Sequence, residues 1–135
     1  MRVMLDTNIF ISAILFPNGR AAAALFKAIL PPNKPVTCDY IIDELRQKFQ
    51  EKFPHKLTEL DAFLYSSLAV IEVVKTPSIP TANELLVRDK KDRPILRAAI
   101  NAGIDLFLTG DKDFLESGIK NPRIISVAEF LLDQQ

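Results

Sequence analysis

The sequence predicts an α/β fold, a mostly parallel sheet covered by helices on both faces. Short apolar runs of strand length alternate with longer helical patterns along the whole 135-residue chain, the order that builds parallel strands joined by crossover helices. Three acidic residues, Asp6, Asp92 and Asp111, stand where an apolar run or a loop gives way to a helical pattern. Open α/β sheets gather their active-site residues at such junctions.

Each element follows from local pattern. Arg2-Val3-Met4-Leu5 reads as the first strand, and Thr7 and Asn8 can cap a helix over residues 9–16 that stops at Pro17-Asn18-Gly19. Residues 21–30, rich in alanine and closed by Pro31-Pro32, form a second helix of high intrinsic propensity. A second strand is expected over 34–37. It is followed by a helix over 40–52 whose apolar stripe is Ile41, Ile42, Leu45, Phe49 and Phe53. Pro54-His55 interrupts the chain before a helix over 56–67 and a third strand over 70–74. Residues 75–91 contain Pro77 and Pro80, and a structureless loop of that length is unusual, so a short helix is expected around 83–87. A helix over 94–102 ended by Gly103, a strand over 105–108, a short helix over 113–116, a strand over 123–125 and a helix over 127–132 complete the pattern.

Composition fits one domain over residues 1–135, long enough to bury a substantial core. Hydrophobic residues make up 48% and charged residues 25%, with nine Phe, which excludes a disordered or fibrous chain. Seventeen basic residues balance seventeen acidic ones, so any polyanion must be held by a local patch rather than by net charge. The lone Cys38 has no internal disulfide partner and reads as a small core residue of a protein from a reducing compartment. The apolar stretch before Asp6 is too short for a signal-peptide core. The apolar segment 9–17 falls far below the roughly 18 residues that span a bilayer. A soluble cytoplasmic protein without a membrane partner is expected.

An Asp near a helix start ordinarily caps it, since its oxygens accept from orphan backbone N–H groups and its charge complements the helix dipole. Three Asp residues at the same kind of junction, following separate strands of one parallel sheet, point toward a common edge. Gathered there, their like charges repel unless cations, protons or hydrogen-bond donors offset them. A divalent metal site satisfies that requirement. Hard oxygen ligands suit one or two Mg²⁺ or Mn²⁺ ions, and the lack of a Cys or His cluster argues against zinc. Asn8 can orient a neighbouring carboxylate, Asp113 lies two residues from Asp111, and Thr109 adds a hydroxyl. Glu44, inside a helix, reads on its own as a solvent-facing residue of an amphipathic surface. His55 has no nucleophile in a recognisable elbow beside it, and the four glycines form no phosphate-cradling loop. Arg88, Lys90, Lys91, Arg93 and Arg97 are the one local concentration of basic charge, a candidate surface for an RNA backbone.

These residues carry a family resemblance. Val3-Met4-Leu5-Asp6-Thr7-Asn8-Ile9-Phe10-Ile11-Ser12-Ala13 resembles the opening of PIN-domain ribonucleases, Ile42-Asp43-Glu44-Leu45 their second acidic motif, and Leu106-Phe107-Leu108-Thr109-Gly110-Asp111-Lys112-Asp113-Phe114-Leu115 their last. Asp89-Lys90-Lys91-Asp92-Arg93-Pro94 occupies the third position. The resemblance implies a three-layer α/β/α sandwich with a parallel five-stranded sheet, and a Mg²⁺- or Mn²⁺-dependent nuclease site built from Asp6, Glu44, Asp92 and Asp111. Asn8, Thr109, Asp113 and Asp89 are implied as accessory members. Asp92, nearer the helix start, is preferred to Asp89 as the third acid. Many small prokaryotic members of this family are toxins of toxin–antitoxin pairs, often dimers, that cleave RNA until an antitoxin blocks the site. The resemblance therefore implies an RNA substrate, a protein antitoxin and a homodimer.

Two other readings use the same residues. One is a noncatalytic RNA-binding or interaction scaffold, which the presence of all four acids disfavours. The other is a Mg²⁺-dependent phospho-aspartate phosphotransfer protein. Its dehalogenase-like form requires an Asp-x-Asp motif, where this chain has Asn8 in the second position, and its receiver form requires paired acids after the first strand.

Overall fold

The computed structural model describes residues 1–132. The chain folds as a three-layer α/β/α sandwich around one five-stranded parallel sheet, whose strands are β1 (Arg2–Leu5), β2 (Lys34–Cys38), β3 (Glu72–Val74), β4 (Leu106–Leu108) and β5 (Arg123–Ile125). Their spatial order is β3-β2-β1-β4-β5. The chain thus travels outward from β1 through β2 to β3, then returns to the other side of β1 with β4 and continues to β5. That reversal puts the topological switch between β1 and β4, where such sheets open a crevice beyond the carboxyl ends of their strands.

The helices are α1 (Thr7–Leu15), α2 (Arg20–Ile29), α3 (Asp39–Lys52), α4 (Leu57–Ser67), α5 (Arg93–Asn101), α6 (Lys112–Leu115) and α7 (Val127–Leu132), with 3₁₀ turns at Pro54–Lys56 and Asn83–Leu86. Every expected element is present, most with ends shifted by a residue or two. The third strand is shorter than expected, because Val70 and Ile71 turn back to bond the Ser67 carbonyl before Glu72 joins β2. The segment around 83–87 is a 3₁₀ turn rather than an α-helix.

Burial follows the apolar periodicity. Ile41, Leu45 and Phe49 are the buried residues of α3, at the i, i+4, i+8 spacing of one helix face. All three residues of β4 are buried, as expected of a strand covered on both faces. Phe49, Phe107, Phe114 and Phe130 are fully buried, joined by Ile95 and Leu96 of α5. Cys38 is buried, as its small apolar character required. Gly103 ends α5 in the left-handed region at φ 65°, its N–H donating to the Ile100 carbonyl at 3.2 Å, the usual service of glycine just past a helix end. Among the described residues no helix is by itself long and apolar enough to cross a membrane.

Candidate active site

The strand ends on either side of the switch supply the centre of the site. Asp6 leaves β1 with its N–H donating to the Leu108 carbonyl of β4 at 2.9 Å, so pairing between the two central strands fixes the backbone at the first acid. Asp6, rather than Thr7 or Asn8, is the N-cap of α1. Of the three oxygen-bearing residues at this junction Asp6 takes the cap, because it retains extended backbone, with φ −65° and ψ 156°, while its Oδ1 accepts from the Thr7 N–H at 2.8 Å. Its other oxygen, Oδ2, accepts from the Thr109 hydroxyl at 2.8 Å. That hydroxyl oxygen in turn accepts from the Asp111 N–H at 3.0 Å. Thr109 is wholly buried, so it acts by locking Asp6 and the Asp111 backbone to each other. Asp111 caps α6, with Oδ1 accepting from the Asp113 N–H at 2.9 Å.

Asp6, Asn8, Glu44, Asp89, Asp92 and Asp111 line one cleft of about 260 Å³, together with Lys48 and Lys91. Five carboxylates therefore face two lysines. Asp6 is only 5% exposed. Burial pushes its carboxyl up to about 6, aided by the charges of Glu44 and Asp111 and opposed by the donors Thr109 and Thr7. Burial also pushes Asp92 up, to about 7, with the charges of Asp6, Asp89 and Asp111 adding to it and its neutral form donating to Asp111. Two carboxyls raised so far above the ordinary range mark a place short of positive charge. Asp89, Asp92 and Asp113 also bring one oxygen each to within 4.8 Å of the others.

Asp89 and Asp92 differ in their obligations. Asp89 Oδ1 accepts from the Lys91 N–H at 2.9 Å and so shapes its own loop. Asp92, although it begins α5, makes no side-chain cap, and its oxygens are free of the backbone. Asp113 is partly neutralised by Arg88, whose Nε lies 2.9 Å from Asp113 Oδ1.

The expected basic surface is corrected in part. Arg97 is half-buried, and its guanidinium donates to both oxygens of Glu84, at 3.0 and 2.8 Å, and to the Pro77 carbonyl at 2.9 Å. With three donors committed and its charge paired to Glu84, this guanidinium has little to offer a polyanion. Arg93 donates from Nε to the Val87 carbonyl, and Arg88 is divided between Asp113 and Glu116. Lys90 and Lys91 are both exposed, and Lys91 is among the residues that line the cleft.

One cleft residue, Lys48, and one beside the cleft, Tyr40, were not anticipated. Lys48 Nζ donates to Asn8 Oδ1 at 3.3 Å, and the Tyr40 hydroxyl donates to the Lys91 carbonyl, tying α3 to the loop that carries Asp89 and Asp92. The signal lay in spacing. Tyr40, Glu44 and Lys48 follow one another at four-residue intervals and share one face of α3, so the placement of Glu44 implied its two neighbours.

A family model described as the PIN domain matches residues 2–113, which include every acid of the cleft. No curated protein matches the sequence. Among solved structures, the chain is similar to VapBC2 from Rickettsia felis, determined bound to a DNA fragment of its promoter. The TM-score is 0.70 at 20% identity, over 93% of this chain and 98% of that one. It is also similar to VapC20 of Mycobacterium tuberculosis, described as a sarcin-ricin-loop-cleaving toxin, with TM-score 0.61 and 18% identity over 87% of this chain and 95% of that one. VapBC-1 from nontypeable Haemophilus influenzae gives 0.62 and 15% over 95% and 99%. At these identities the likeness speaks for the fold.

Proposed function

The chain belongs to the PIN-domain family, and from that premise we propose that it is a Mg²⁺- or Mn²⁺-dependent endoribonuclease, the toxin of a toxin–antitoxin pair, acting in the cytoplasm as a homodimer. The observation that carries the reading is the crowding of Asp6, Glu44, Asp92 and Asp111 into one cleft at the switch point. The donor set fits a hard divalent cation: all oxygen, acidic, and short of compensating positive charge. The toxin assignment is supported by the likeness in fold to VapC20 and to the VapBC assemblies.

Asp6, Asp92 and Asp111 are the residues to hold the ion or ions, with Glu44 joining them or orienting the attacking water. Asp92 is chosen over Asp89 because its oxygens carry no backbone duty. When bound, a divalent ion orients the scissile phosphate, acidifies the attacking water and offsets charge on the leaving oxygen. The protein's own contribution is preorganisation. Thr109 and the Thr7 N–H hold Asp6 in one orientation, and the Asp113 N–H holds Asp111. Lys48 and Lys91 draw the phosphate toward an otherwise repulsive cleft.

The test is cleavage of RNA by purified protein with Mn²⁺ or Mg²⁺, a chelator control, and the Asp6→Asn and Asp111→Asn variants. Cleavage that needs the metal and disappears in both folded variants supports the proposal. Undiminished cleavage by the variants would assign the activity to a contaminant and sink it. Metal binding without turnover would favour a scaffold.

A further inference from the structure

Beside the acidic cleft lies a second depression. A groove of about 470 Å³ runs from Asn8 past Thr109 and Gly110 to Ser12, Arg20 and Ser126. It is continuous with the cleft, because Asn8 lines both and Thr109 bonds Asp6 directly. Arg20 is exposed and, among the described residues, forms no ion pair or side-chain hydrogen bond. It is also poorly placed for stability. As the first residue of α2, with no acid in that turn, its charge opposes the positive end of the helix dipole.

The cations that sequence proximity assigned to the substrate are largely committed elsewhere: Arg97 to Glu84, Arg93 to the Val87 carbonyl, and Arg88 to Asp113 and Glu116. Lys48 and Lys91 remain at the cleft, and Arg20 in the groove. A strand whose scissile phosphate enters the cleft has neighbouring phosphates on either side, and these need positive partners away from the carboxylates. The groove offers one, with apolar walls at Ile9, Ala21 and Val127 for sugars and bases. We infer that this groove carries the RNA strand flanking the scissile phosphate and that Arg20 grips one of its backbone phosphates. The inference rests on the nuclease reading above.

The test measures cleavage and binding in parallel. Cleavage of a randomised 12-nucleotide single-stranded RNA pool is followed with Mn²⁺ for wild type, Arg20→Glu, Arg20→Lys and a charge control, Lys120→Glu. Binding of the same pool, fluorescein-labelled, is followed by anisotropy with Ca²⁺ over a salt series. Glu is favoured at a helix N-terminus, so Arg20→Glu is expected to fold; thermal melts check this. In Arg20→Glu, KM and Kd should rise on the order of 5- to 10-fold with kcat little changed. The slope of log K against log salt should fall by about 0.7, the value for one phosphate of a single strand. Arg20→Lys should recover most of the loss, and Lys120→Glu should behave as wild type.

Unaltered KM, Kd and salt slope in Arg20→Glu, with wild type cleaving, would overturn the groove and leave the nuclease standing. An equal loss in Lys120→Glu would overturn it too, as a net-charge effect. Arg20-dependent binding without cleavage would support the groove and remove the nuclease. Neither binding nor cleavage by wild type would remove both.

Discussion

Asp92→Asn provides a sharp test of the electrostatic reading, because it is expected to stabilise the fold while abolishing activity. In the metal-free protein Asp92 titrates at about 7 instead of 3.8. Below pH 4 both folded and unfolded chains hold the proton and the site costs nothing. Between pH 4 and 7 the folded chain retains a proton the unfolded chain has released, and folding loses stability steadily as pH rises. Above 7 the full cost is present. At 1.36 kcal/mol for each tenfold change in acidity, that rise corresponds to about 4 kcal/mol gross. Asp92 is partly exposed, and solvent screening reduces the figure; about 1–2 kcal/mol is expected. Asn removes the charge, and no capping bond is lost with it, since Asp92 makes none.

The assay is urea unfolding in chelator and low salt at pH 8 and pH 5. Asp92→Asn should unfold later than wild type at pH 8, by about 1–2 kcal/mol, or on the order of 5 °C in a parallel melt. The gap should narrow at pH 5, where wild type has regained its proton. RNA cleavage by the variant should be lost. A variant no more stable than wild type at pH 8 would refute the claim that uncompensated carboxylates strain this cleft.

Other expectations follow from the same contacts. Mn²⁺ should raise the melting temperature of wild type more at pH 8 than at pH 5, since protons compete for the ligands; an effect independent of pH would place the ion elsewhere. Arg97→Met should cost about 3 kcal/mol in urea unfolding, because it strands the buried Glu84 carboxylate, and Glu84→Gln should cost less, because the Arg97 it leaves is half-buried; a loss under about 1 kcal/mol in Arg97→Met would show that water reaches the pair. Arg97 holds Glu84 below the ordinary carboxylate range, so the pair's contribution should be present above pH 4.5 and fade as pH falls through the lowered pKa. Thr109→Val should push Asp6 still higher by removing its hydroxyl donor, and reduce kcat. Carboxyl titration by NMR and single-turnover kinetics check this, and an unmoved Asp6 would deny Thr109 its role.

The fold was legible because it is written in short-range pattern. Strand-length apolar runs, the proline breaks and Gly103 each act within a few residues, and β1 and β4 appear where the runs Arg2-Val3-Met4-Leu5 and Leu106-Phe107-Leu108 appear. The gathering of Asp6 and Asp111 was legible for a related reason. Both follow strands of one parallel sheet, and parallel strands share a carboxyl edge. Order along the chain cannot give the reversal at β1, which makes those two strands neighbours.

The basic cluster shows where such reasoning fails. Arg88, Lys90, Lys91, Arg93 and Arg97 are adjacent in sequence, yet they lie on a loop and the first turns of α5 and point in different directions. Nine residues separate two cations in different surroundings: Arg88 is exposed, whereas Arg97 is half-buried and clamped on the buried Glu84, whose carboxylate arrives from a 3₁₀ turn thirteen positions earlier. Lys48 errs in the opposite direction. Distant in sequence from every acid of the cleft but Glu44, it reaches the cleft because one further turn of α3 brings it to the same face. Place in the topology therefore pointed to Asp6, Asp92 and Asp111, which stand at equivalent junctions of a repeating fold, whereas the cations have no such repeat to mark them. The positive side of a site built this way has to be read from ion-pair partners: a cation already bonded to a buried carboxylate is structural, and one without a carboxylate partner among the described residues, as Lys48, Lys91 and Arg20 are, is available to a phosphate.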